Sequence, residues 1–470
     1  MAFQSPSRPV PIPASDAQLI SIYEVQYQNA LKANKITPLI IPYHFLNFFI
    51  LIAYIILSPY KITRKFRFPI LAIIVWHSTS MLLSTRTLNH SYGSIIGLYS
   101  IWCIYWSATI MIFNDINRDF KRIVYSPDQT LVWQPMPISL KDRIPWAVDL
   151  ASTLRGINWS FHFGHPSNIP NPLSKLRQTH TATFGGCLLR FLLSCACIDI
   201  LKLIMMTDRY FWGYTRVAAP SHLPSFFHHP AILSAYRSII TTAGIKAALH
   251  YQSDLDTLIS TQLLGPGILG PAGEAWMHPS IFGPFSAVLN EGLSGFWGKY
   301  WHQIFRVAFT SAGRWVVLRL GLKFGTREAK VVMMLVVFSM SSMLHASSTL
   351  TLWGETRPWL DVRFFLLQPV GIWLQSLVQG ALGRSYRERR RMRWTVNLVT
   401  SLLWLWATMP YLAEGLAAGG VWLFEPIPVS PLRGLGFGTD FGMPKQWWCW
   451  RGQWFSRHEY GWWWKRGIAM

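Results

Sequence analysis

The chain has 470 residues and a formal net charge of +22, yet only 14% of its residues are charged and 51% are hydrophobic. Soluble domains carry about a quarter charged residues, so this composition excludes an ordinary soluble protein and points to a membrane chain. The basic residues gather between apolar runs, at 61–67, 314–330 and 384–393. That is the positive-inside pattern of cytosolic loops, and it sets nucleic acid aside as a partner in favour of membrane lipid.

The 25 Trp and 17 Tyr supply material for interfacial belts. The five cysteines, Cys103, Cys187, Cys195, Cys197 and Cys449, show no CxxC spacing and read as packing residues, with neither a zinc site nor a disulfide framework.

In chain order, residues 1–37 form a polar N-terminal segment. Its first 16 residues are rich in Pro and Ser without an apolar run, so they are expected to be disordered and are not a signal peptide. Residues 17–37 suit a short surface helix. Apolar runs follow at Pro38–Tyr60, Phe68–Ser84 and Gly93–Phe113, each near the length that crosses a hydrocarbon core of about 30 Å. The polar stretch 114–183 is too long for a plain loop, and its aromatic and Arg content predicts a packed, partly interfacial segment. Phe184–Met206 and Ala231–Leu249 are further spans, separated by a lumenal turn holding His222, His228 and His229. Gly265–Gly283 carries so many Gly and Pro that a re-entrant or surface loop is expected.

The richest stretch is Asn290–Arg306, NEGLSGFWGKYWHQIFR. Laid on one helix, Trp297, Trp301 and Phe305 make an aromatic ridge, with Gly298, His302 and Arg306 in the adjoining row. Val307–Phe324 is apolar but interrupted by Arg314 and Arg319, which suits the interface. Val331–Leu352, Phe364–Leu382 and Trp394–Ala413 are the remaining spans, and RSYRERRRMR anchors the cytosolic turn between the last two. His345 lies alone in the apolar run 331–352, and the helical period puts Ser341, Ser342, Ser348 and Thr349 on its face. Ionisable groups in such a setting line cavities or find partners, which marks functional sites. The fold expected is all-α and polytopic, with eight or nine transmembrane helices around a buried tunnel. Residues 38–424 are expected to form the membrane domain and 425–470 a Trp-rich tail, whose Trp462–Trp464 run suits an interfacial foot.

FWGKYWHQIFR resembles the FWxxxWHQ signature of wax-synthase-like proteins, a branch of the membrane-bound O-acyltransferases, and SSMLHA is similar to the surroundings of that superfamily's catalytic histidine. RGINWSF also resembles a segment common in fungal members. The resemblance implies acyl transfer from a coenzyme A thioester to a hydroxyl inside a membrane-buried tunnel of the endoplasmic reticulum. Acyl-CoA is then a co-substrate and no cofactor is bound. Fungal members of similar size acetylate terpenoids and other secondary metabolites, so the expected acceptor is a lipophilic alcohol and the expected acyl group acetyl. Long-chain wax-ester synthesis is the alternative.

The chemistry of the residues agrees. An alcohol attacks a thioester poorly until a base takes its proton, and imidazole suits that task near neutral pH. His345 is the expected base, and His302 donates to the oxyanion or positions the substrate. Trp297 and Trp301 line the substrate passage, Arg306 meets coenzyme A phosphates, and Ser341 and Ser342 steer the His345 tautomer.

Other classes lack their signatures. A di-iron oxidase needs clustered histidine motifs, and His162–His165 is the lone near match. A transporter needs repeated halves or mid-span charge pairs. A terpene cyclase needs a mid-membrane acid, for which Asp199 is the obvious choice. HxxxD at His250–Asp254 and DFG at Asp440–Gly442 echo soluble acyltransferases, which this apolar pattern excludes. A serine hydrolase would need a GxSxG elbow, and none occurs.

Overall fold

The computed structural model describes residues 8, 11–128, 130–162, 183–450, 456–458 and 466–469. The run Trp462–Trp464, His165 and the first seven residues lie outside these.

The architecture is helical, and most apolar runs become helices close to their expected bounds. α1 (Asp16–Lys32) starts at Ser15, whose side chain accepts from the Gln18 amide, and buries Leu19, Tyr23 and Tyr27. The first apolar run behaves differently from expectation. Its opening forms a short strand β1 (Ile40–Ile41) and a 3-10 turn, and only α2 (Leu46–Leu57) is α-helical. α3 (Arg67–Ser84) and α4 (His90–Ala108) follow, the latter continuing through a π-helical turn, Thr109–Phe113.

The polar stretch then folds into a hairpin, β2 (Arg122–Tyr125) with β3 (Leu131–Gln134), and α5 (Leu140–Ser152). Asp149 gathers it together by accepting from Arg122, Asn158 and the Trp159 indole. The RGINWSF segment is therefore a packing motif, with Trp159 fully buried edge-on to Trp146.

α6 (Phe184–Met206) has the expected bounds, whereas α7 (Pro230–Leu258) runs nine residues beyond its expected end. α8 (Ser286–Glu291), α9 (Arg306–Arg319), α10 (Arg327–Leu350), α11 (Pro358–Ala381) and α12 (Arg390–Ala418) complete the order. Among the described residues, four helical stretches are both long and apolar enough to cross a membrane: Arg67–Ser84, Tyr92–Phe113, Arg327–Leu350 and Arg390–Ala418. The expectation of eight or nine counted the run 38–60, α6, α7 and α11 as well, with 307–324 as the ninth; α6, α7 and α11 are long but carry buried Asp199 and Lys202, Arg237, and Asp361. Asp199 is no candidate acid for alkene protonation, because its carboxylate accepts from the Ser430 hydroxyl and the Leu432 amide and so pins the C-terminal segment.

That segment also ties the chain ends together. β5 (Gly467–Ala469) pairs antiparallel with β1, Ile40 opposite Ala469 and Ile41 opposite Ile468, and β4 (Ser456–His458) pairs on its other side.

α10 carries His345, and two close neighbours fix its position. It packs along α11 on one side and α4 on the other. Against α4 the approach is very close, since a Cβ at Gly97 would stand 2.0 Å from the Ser347 carbonyl oxygen. Ser347 donates to the Gly97 carbonyl and Thr351 to the Gly93 carbonyl, at 3.0 and 2.7 Å, while Ser94 and Ser348 share a hydroxyl pair. Small residues and cross-helix hydroxyl bonds are the adhesive that works where lipid offers no hydrophobic drive.

Gly97→Val would force these backbones apart, an overpacking that costs about 1–3 kcal/mol. The expected result is a melting midpoint several degrees lower in detergent, read by size-exclusion thermostability. An unchanged midpoint would show that the α4–α10 contact does not hold α10 in place.

Candidate active site

The segment 290–306 is not one helix, which corrects the expectation from periodicity. α8 stops at Gly292, which has φ +64°. A short turn, Leu293–Gly295, leads into a π-helical turn, Phe296–Tyr300, and the backbone becomes extended at Trp301. Helix resumes only at Arg306. Trp297, Trp301 and Phe305 therefore do not form a ridge. Trp301 stacks on Phe296 (5.5 Å, 19°), while Phe305 turns to Trp102 on α4.

Each loosened turn finds side-chain partners. Gln303 Nε2 donates to the carbonyls of Trp297 and Trp301, at 3.1 and 2.5 Å. From α11, Gln375 Oε1 accepts from the Leu293 amide at 2.7 Å, and its Nε2 donates to the Thr400 and Ser401 hydroxyls of α12. Gln368 Oε1 accepts from the Trp297 indole at 3.2 Å, with its Nε2 on the Phe364 carbonyl. Both glutamines are buried.

The folded-back segment roofs a cavity of about 310 Å³. His302, Trp297, Trp301, Arg306, Ser341 and His345 all line it, so six of the seven residues singled out from the sequence meet in one place. The seventh, Ser342, does not. It faces away, buried, with its hydroxyl donating to the Ser339 carbonyl of its own helix. Four residues along an α-helix return to the same face, whereas three fall off to one side.

His345 Nδ1 lies 2.8 Å from the Ser341 carbonyl oxygen. A carbonyl only accepts, so Nδ1 carries the hydrogen and Nε2 keeps its lone pair. The tautomer is thus steered by the backbone of Ser341, and no serine hydroxyl is involved. The imidazole is stacked on one face by Phe365, ring centroids 4.2 Å apart at 29°. His302 touches Trp301 and Phe305, its Nδ1 is buried without a hydrogen-bond partner, and it lies within electrostatic reach of His345. Arg306 is exposed, with its guanidinium on the Gly298 carbonyl and the Gln303 side chain, and pairs with no carboxylate among the described residues.

Sequence reasoning missed Phe365, Gln303, Gln368 and Gln375. A signal existed: Asp361, Gln368 and Gln375 recur every seven residues inside an apolar helix, one polar stripe, and all three are buried.

Residues 278–367, which span His302, His345 and Phe365, match the membrane bound O-acyl transferase family. Over that stretch the chain is similar to this family, and the similarity supports O-acyltransferase activity. It is 25% identical over 388 residues to the acetyltransferase eriL of Hericium erinaceus, covering 79% of this chain and 91% of that one. To the acetyltransferase ataH of Aspergillus terreus it is 30% identical over 173 residues, 35% of this chain and 50% of the relative. To the O-mevalon transferase yanI of Aspergillus niger it is 22% identical over 356 residues, 67% of this chain and 75% of the relative. No solved structure matches the chain.

Two substitutions separate the roles of these polar residues in the acyltransferase. Ser342→Ala, by removing a bond confined to its own helix turn, is expected to leave the transfer rate within about twofold. Gln368→Leu strands a buried indole N–H, at a cost of about 1–3 kcal/mol, and should lower both the melting midpoint and the rate. Equal rates for wild type and Gln368→Leu would show that Trp297 needs no fixed orientation.

Proposed function

We propose that the chain transfers a short acyl group, acetyl first, from acyl-CoA to a hydroxyl of a lipophilic acceptor such as a terpenoid or meroterpenoid. The observation that carries this reading is the His345 imidazole held with its lone-pair nitrogen free beside a cavity walled by aromatic rings. His345 Nε2 accepts the proton of the acceptor hydroxyl as its oxygen attacks the thioester carbon. The tetrahedral intermediate then expels the coenzyme A thiolate, which takes the same proton back from the imidazolium. No net proton is gained or lost and no acyl-enzyme is required.

His302 acts at the oxyanion as a hydrogen-bond donor, a role its apolar surroundings strengthen because water does not compete there. Trp297 and Trp301 bound the reacting groups, Ser341 sets the tautomer of the base, and Arg306 meets the phosphates of the donor. Ser342 has no part in this scheme.

The acetyl assignment is supported by the similarity to the acetyltransferases eriL and ataH and by the wall of rings about Trp297, where Phe338, Phe364 and Phe365 all stand within 5.9–6.1 Å, centroid to centroid. The name of yanI, an O-mevalon transferase, makes a mevalonyl group the second acyl group to try, ahead of a long-chain wax-ester donor. We further assign the protein to the endoplasmic reticulum membrane, with α6, α7 and α11 crossing alongside the four apolar stretches. The catalytic domain is 38–424, preceded by a polar segment and followed by the Trp-rich tail.

Microsomes containing the protein, given labelled acetyl-CoA and a panel of lipophilic alcohols, should form a labelled ester seen by mass spectrometry. His345→Ala should abolish it at equal protein level. His302→Ala should lower the rate by about 10²–10³, the loss typical of a missing oxyanion donor. Normal turnover by His345→Ala would remove the proposed base.

A further inference from the structure

Four glycines lie in or against the folded-back segment, and the fold explains three of them. Gly292 has φ +64°, and a Cβ there would stand 2.2 Å from the Gln375 side chain. At Gly295 a Cβ would lie 2.1 Å from the Ala287 carbonyl oxygen, and at Gly283 it would lie 2.1 Å from that of Lys299. Gly298 differs. It sits in the π-helical turn, its φ is not positive, and a Cβ added there would meet no atom within 4 Å. Nothing in the protein therefore demands glycine at 298, although glycine weakens a helical turn relative to alanine.

Gly298 lines the cavity, and the space a Cβ would enter there is open. Gly298 is exposed, as are Ser294 and Arg306, so these three mark the mouth, while Phe338 and Phe365 are buried at the inner wall. The Arg306 guanidinium reaches back to the Gly298 carbonyl at 3.3 Å with no carboxylate partner among the described residues. A bare backbone beside an unneutralised cation suits a slender, phosphate-bearing ligand better than a lipophilic alcohol.

We infer that Gly298 is the sill over which the thioester arm of acyl-CoA passes from Arg306 to the two histidines. This inference rests on the acyl-CoA reading above. A side chain at 298 would occupy the volume of the arm without disturbing the protein, so bulk there obstructs the donor selectively.

The test is saturation binding of tritiated acetyl-CoA, and competition by acetyl-pantetheine, on purified wild type, Gly298→Ala, Gly298→Leu and Arg306→Ala. Gly298→Leu should weaken both ligands at least tenfold and Gly298→Ala by less, with melting midpoints no lower than wild type. Arg306→Ala should weaken acetyl-CoA but not acetyl-pantetheine, which lacks the nucleotide phosphates. Wild-type binding matched by Gly298→Leu would overturn the inference and leave the acyl-CoA reading standing. So would a Gly298→Leu variant that binds the donor normally and shows only a raised KM for the alcohol. Failure of wild type itself to bind acetyl-CoA saturably would instead overturn the reading beneath it.

Discussion

A main chain that leaves the helix inside an apolar body must find its hydrogen bonds elsewhere, because lipid supplies none. That requirement governs the segment 292–305. Its turns are loose, yet the Leu293 amide and the Trp297 and Trp301 carbonyls each meet a glutamine. Two of the three glutamines involved in holding the segment come from α11 and are themselves braced by α12 and by their own helix. The site is consequently assembled from outside inward. α12 holds α11, the polar stripe on α11 holds the folded-back segment, and that segment delivers His302 and the tryptophans over His345.

The two histidines sit on supports of different kinds. His345 belongs to a continuous 24-residue helix locked by close contacts to α4, and its ring is bonded at one nitrogen and stacked on one face. His302 belongs to an extended stretch between a π turn and the next helix, with one ring nitrogen unpaired. A base gains from a fixed orientation, since its lone pair must meet a particular proton. The proposed donor to a developing charge needs an unspent N–H, and the unpartnered Nδ1 of His302 supplies one in the tautomer that places the hydrogen there.

Much of this was readable in the sequence and some was not. The long helices follow from apolar runs bounded by charged turns, and Phe184–Met206 coincides with its observed helix. A lone imidazole in an apolar run has a bland packing explanation as well as a functional one, and His345 stands out by its serine-lined face and by the resemblance that SSMLHA carries. Two errors came from the same source. Fourfold spacing of Trp297, Trp301 and Phe305 fits a regular helix, but the spacing carries no record of the Gln303 amide that captures two carbonyls and unwinds the turn. A three-residue offset puts Ser342 near the His345 face by pattern, yet at about 100° per residue it lies about 60° round the helix, buried and off the cavity. The opening of the first apolar run formed a strand because its partner, Gly467–Ala469, lies more than 400 residues away, beyond any local pattern.

The heptad of Asp361, Gln368 and Gln375 shows how a polar residue in an apolar helix should be weighed. Each is buried, and each serves a different element: Thr349 on α10 lies beside Asp361, Trp297 bonds to Gln368, and Leu293 bonds to Gln375. Seven residues advance a helix two turns, about 10.5 Å, with little rotation. The stripe thus runs along one line, parallel to the wall of the cavity, and touches both the helix of one histidine and the segment of the other. Removing the polarity of this line would leave the apolar packing of α11 intact while freeing the roof. The geometry of the candidate site therefore depends on residues that do not line its cavity.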